Sequence, residues 1–67
     1  MATLPEAELW NRLRTHLGDA YASTWASSVV LSNLGDRTVT EALSDGVPCA
    51  TIWRAAWEFL ELPLREL

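Results

Sequence analysis

The placement of glycine and proline constrains this chain more than any other feature. Its three glycines stand at Gly18, Gly35 and Gly46, and its three prolines at Pro5, Pro48 and Pro63. Glycine suits the left-handed stop after a helix, and proline suits a first helical turn or the residues just past an end. Between these marks the apolar residues recur three and four apart, the helical period, with no strand-like alternation. The pattern predicts an all-α fold: a compact bundle of three long helices and one short one, in a single domain over 1–67.

The first helix is expected over 3–17. Thr3 and Glu6 have the spacing of a capping box, and Pro5 fits the first turn. Glu6 and Glu8 oppose the positive end of the helix dipole, and Arg14 and His16 the negative end. Trp10, Leu13 and Leu17 mark its buried stripe. A second helix is expected over 19–34, where Tyr21, Trp25 and Val29 run beside Ala22, Ala26 and Val30 as one wide apolar face, extended by Leu31 and Leu34.

After the polar turn Gly35-Asp36-Arg37 a second capping-box spacing, Thr38 to Glu41, opens a short helix over 38–45 that points Val39, Ala42 and Leu43 inward. The fourth helix is expected over 48–61. Ile52, Ala56 and Phe59 or Leu60 form one stripe on it, and Trp53, Trp57 and Leu60 a neighbouring one. Residues 62–67 read as a tail.

The segment Glu41 to Arg54 has the spacing of a helix-turn-helix corner. Ala42 lets two helices cross closely, Gly46 makes the turn, and Val47 and Ile52 fill the space between them. The chemistry for reading DNA is thin. The outward positions are expected at Cys49, Ala50, Thr51, Arg54, Ala55 and Glu58, and only Arg54 can bond a base edge or phosphate. Glu58 and Glu61 would repel the backbone. Net charge is −4, with five arginines against nine acids, so there is no electrostatic footprint for nucleic acid or for an anionic membrane.

Cys49 is the single cysteine, so neither an internal disulfide nor a thiolate metal cage can form. His16, the single histidine, reads as a cap for a helix end. No glycine-rich phosphate loop, paired-carboxylate site or metal spacing appears, so no catalytic residue, cofactor, metal or small-molecule ligand is expected. Arg12, Arg14, Arg37 and Arg54 allow two readings, a cluster that contacts an acidic partner or ordinary surface charge near Glu8, Asp36, Glu41 and Glu58, and the second is favoured because most surface ion pairs have little consequence. No apolar run approaches the ~20 residues of a membrane span, and the first residues carry acids where a signal peptide needs an apolar run. The chain is expected to be cytoplasmic.

Leu9-Trp10, Leu17-Gly18-Asp19-Ala20-Tyr21-Ala22, Trp25-Ala26, Gly35-Asp36-Arg37-Thr38, Glu41-Ala42-Leu43, Ile52-Trp53-Arg54-Ala55 and Leu62-Pro63 together resemble an uncharacterised family of short actinobacterial proteins, a domain-of-unknown-function family. The resemblance covers nearly the whole chain. It implies a cytoplasmic helical protein, often encoded near the RecA recombinase and its RecX regulator. The chain departs from the family in having Ser28 and Val29 where members usually carry an Asp-His pair, and Trp57 where many carry cysteine.

With no chemistry in the chain and four tryptophans in 67 residues, the expected function is a small non-catalytic protein-interaction or regulatory module. Trp53, Arg54 and Trp57 are the candidate partner-binding residues, for an unidentified protein partner or for self-association. The alternative is a nucleic-acid-associated factor using the helix-turn-helix-like corner.

Overall fold

The computed structural model describes residues 3–67. Four helices follow one another: α1 (Glu6–Leu17), α2 (Asp19–Ser28), α3 (Val39–Ser44) and α4 (Cys49–Phe59). Each packs against its neighbours in a closed ring, α1 on α2, α2 on α3, α3 on α4, and α4 back on α1. This is the expected bundle of three long helices and one short one.

α1 begins later than the sequence suggested. Its N-cap is Pro5, in extended conformation, and no side chain caps it, so the Thr3–Glu6 capping box does not form. Leu9 and Leu13, one turn apart, are the fully buried pair, while Trp10 and Leu17 are only half-buried. The stripe is therefore turned by one residue from the expected Trp10-Leu13-Leu17 line. One residue, Gly18, separates α1 from α2. Its φ of +89° and ψ of 149° lie where a side chain is strained, which lets the chain reverse without a loop.

α2 stops at Ser28, six residues short of the expected end. Val29 and Val30 are no longer helical, Leu31 forms a single antiparallel bridge with Arg37, and a short 3-10 turn covers Ser32–Leu34. Gly35 and Asp36 hold left-handed conformations (φ +70° and +59°) that close this loop. The loop keeps Leu31 and Leu34 in the core by a route other than the one the helical pattern implied. Ala22, Trp25 and Ala26 are buried as expected, but Tyr21 and Val30 face solvent.

The capping box of α3 forms as its spacing predicted. Thr38 Oγ1 accepts from the Glu41 N–H at 3.1 Å, and Glu41 Oε1 accepts from the Thr38 N–H at 2.9 Å. α3 then ends in a paired left-handed stop, in which Val47 N–H donates to the Ala42 carbonyl and Gly46 N–H to that of Leu43. Gly46 supplies the positive φ, +82°. α4 ends the same way, Leu62 N–H donating to Trp57 O and Glu61 N–H to Glu58 O. There the left-handed residue is Glu61, φ +55°.

Residues 62–67 are not a loose tail. Leu62 packs against the core, and a 3-10 turn over Leu64–Glu66 lies back across α1 and α4. The core comprises Leu9 and Leu13 from α1; Ala22, Trp25 and Ala26 from α2; Leu31 and Leu34; Val39 and Ala42; and Ile52, Trp53, Ala55 and Ala56 from α4.

Candidate binding cleft

Trp53 is the hub where α1, α4 and the returning segment meet. Its side chain is 2% exposed, so it belongs to the core and offers a partner almost no surface. On α1, one turn apart, Arg12 and His16 both approach it. The Arg12 guanidinium carbon lies 5.5 Å from the indole centroid, and the His16 ring stacks at 5.9 Å with an interplanar angle of 26°. Cation–π contact of this kind adds about 0.5–1 kcal/mol at a partly exposed site.

The polar edge of this hub holds the segment after α4. Trp53 Nε1 donates to the Glu66 carbonyl at 3.1 Å, Trp57 Nε1 to Pro63 O at 2.9 Å, and Arg12 Nη1 to Leu67 O at 3.2 Å. His16 Nε2 meets Glu66 Oε1 at 3.2 Å, so His16 is a side-chain contact between distant segments as well as a residue near a helix end. The two indole bonds each net about 0.5–1.5 kcal/mol, and the bond from the charged Arg12 guanidinium about 1.5–3 kcal/mol.

Beside the segment lies an open cleft of about 430 Å³. Leu4, Pro5, Ala50 and the small visible part of Trp53 give it an apolar lining, with Leu67 at the side of the returning segment. Glu8, Arg12 and Arg54 supply the charge. Arg12 is paired with Glu8 at 3.3 Å along the helix. Arg54 is exposed and makes no ion pair among the described residues; the expected neighbour, Glu58, instead accepts from Asn33 Nδ2 at 2.7 Å.

Of the three residues chosen from sequence, Trp53 and Arg54 meet at the cleft, and Trp57 stands apart from its lining, half-buried and bonded to Pro63. Arg12, His16 and Glu66 were missed as a group. Their relation spans about fifty residues of chain, and no local motif announces it. Of the four arginines weighed together, Arg12 and Arg54 share the cleft, while Arg37 pairs with Asp45 at 3.1 Å. Ala55, expected to face outward on α4, is 3% exposed and part of the core.

Cys49 is half-buried at the start of α4. Among the described residues, no three of His, Cys, Asp and Glu stand close enough to hold a metal ion, and no helix is long and apolar enough to cross a membrane.

The chain belongs to the family described as "Protein of unknown function (DUF3046)", whose model matches residues 5–65. No curated protein and no solved structure matches it.

Proposed function

We infer that this protein is a small, non-catalytic interaction module and that its partner docks at the cleft between the start of α1 and α4. The observation that carries this reading is the free guanidinium of Arg54 beside an apolar lining of Leu4, Pro5 and Ala50. A largely apolar concavity with a few placed polar groups is the form that ligand sites take. The reading includes a cytoplasmic location. It also takes over what the family resemblance implies, an actinobacterial source and a link to recombination through neighbours of RecA and RecX.

The nucleic-acid alternative has weaker support. The close α3–α4 corner, with its Gly46 stop and buried Ala42 and Ile52, suits a helix-turn-helix, but α4 carries one cation, Arg54. Affinity for DNA comes largely from neutralising several phosphates.

The test is site-directed photocrosslinking in cells. A benzophenone side chain at Ala50, in the cleft, should trap one discrete protein, and the same group at Ser23 on the exposed side of α2 should not. Adding Arg54→Glu should abolish the product. Identical products from both positions, or none from either, would defeat the reading.

A further inference from the structure

The segment Pro63–Leu67 is held as a bound peptide is held. The three donors that fix it, Trp57 Nε1, Trp53 Nε1 and Arg12 Nη1, all belong to α4 and α1, and all three bonds go to main-chain oxygens. Any peptide that takes up the same proline-led 3-10 turn presents main-chain oxygens in these places, whatever its side chains. The one side chain that is read is Glu66, whose carboxylate meets His16 and whose residue is otherwise flanked by outward-facing neighbours. Leu64 is 77% exposed and Leu67 44%, so the segment buries little apolar surface of its own. Segments with few buried apolar contacts are the ones that open locally while the rest stays folded. Pro63, at φ −69° and ψ 159°, enters in the extended form that proline-led peptides already favour when free.

We propose that the α1–α4 groove is a peptide-binding groove, that Pro63–Leu67 fills it in cis, and that an acidic segment of a partner protein, with a proline followed three residues later by a carboxylate, exchanges with it. The inference rests on the interaction-module reading and names the chemistry of the partner. Complementarity argues for that occupant. His16 and Arg12 already hold a carboxylate and a main-chain oxygen of the internal segment, and Arg54 adds an unpaired cation in the adjoining cleft. Displacing the segment would also uncover the edge of Trp53, which gives an incoming chain the aromatic anchor that tight interfaces use.

The test is a fluorescence anisotropy titration of a labelled, end-blocked peptide, Leu-Pro-Leu-Arg-Glu-Leu, against the full chain. Wild type should bind weakly, because its own segment competes. Glu66→Lys, and separately Pro63→Gly with Glu66→Lys, weaken the internal segment and should tighten peptide binding at least tenfold. A peptide with lysine in place of its glutamate should show no such gain, and Arg12→Ala in the Glu66→Lys chain should abolish it. The Trp53 indole N–H resonance reports release of the segment. If it stays in place in both variants, the segment is a fixed part of the fold and the proposal is overturned. If it moves and peptide affinity stays within twofold of wild type, the proposal is likewise overturned. Concentration-dependent dimers of wild type in sedimentation velocity would assign the groove to a second copy and overturn the foreign partner. Failure of exchange with the Ala50 crosslink intact would leave the module reading standing; loss of the crosslink with exchange intact would do the reverse.

Discussion

The indole N–H of Trp53 donates to the carbonyl of Glu66 at 3.1 Å, joining the core of α4 to a segment thirteen residues further on. The bond lets an otherwise buried aromatic satisfy its one polar atom, which is the condition for placing tryptophan in a core at all. Trp53→Phe keeps most of the ring and removes the donor. Losing the bond costs about 1 kcal/mol, and the smaller ring leaves a cavity worth about as much again. Urea denaturation should therefore show a loss of about 2 kcal/mol. Trp57→Phe, at a half-buried position with the same kind of bond to Pro63, should cost about half of that. Equal losses at the two sites would contradict the different roles assigned to them.

Thr38 closes the best-defined helix start in the molecule, with both bonds of the capping box present and Thr38 itself buried. Thr38→Ala should cost about 1 kcal/mol, and Thr38→Ser should retain most of the stability, since the hydroxyl is the working group. Thermal melts of the two variants decide the matter. A serine variant as unstable as the alanine one would mean that the buried methyl, not the cap, is what matters there.

The two helix stops with paired bonds predict opposite signs for changes at equivalent positions. Gly46 has φ +82° and no heavy atom within 4 Å of where a Cβ would sit, so a substitution there meets backbone strain and no steric neighbour. Gly46→Ala should cost about 1–2 kcal/mol. Glu61 holds φ +55° with a side chain attached, so its strain is already present. Glu61→Gly should be neutral or stabilising by up to about 1 kcal/mol, less whatever freedom glycine adds to the unfolded chain. Comparing the two in denaturant checks both assignments, and a destabilised Glu61→Gly would show that the carboxylate makes a contribution beyond the stop.

What could be read ahead of the structure was what local chemistry decides. The α3 start, the Gly46 stop and the opening of α4 beyond Pro48 rest on contacts within five residues, and all three stand where their residue types put them. The end of α2 was misread because Trp25, Val29 and Val30 keep helical spacing after the helix has stopped. The break is made by the Leu31–Arg37 bridge, a contact that the two left-handed residues between them permit. The β-branched pair Val29-Val30 followed by Ser32-Asn33 was the available signal. In α1 the pairs Leu9-Leu13 and Trp10-Leu13 are both helical, so spacing alone could not choose between them. The site suffered most. Arg54 was found from its isolation as the cation of α4, but the docking of Pro63–Leu67 depends on donors that lie up to 55 residues away, where sequence order carries no trace of proximity.

The charge on α4 makes one further prediction, about nucleic acid. Arg54 is its only cation, Glu58 is exposed four residues on, and Asp45 in the turn before α4 is engaged with Arg37. A face that neutralises about one phosphate loses the counterion-release gain on which duplex binding depends. Labelled duplex and single-stranded DNA should therefore give no anisotropy change with micromolar protein at low salt, where electrostatic attraction is least screened. Binding that weakens steeply with salt and falls on Arg54→Ala would reverse this, and would move the α3–α4 corner from packing device to reading head. Binding insensitive to Arg54→Ala would instead point to Arg14 or Arg65, neither of which lies on the corner. Absence of binding would leave the cleft beside Arg54 as the surface to follow, with peptide exchange as the measurement that follows it.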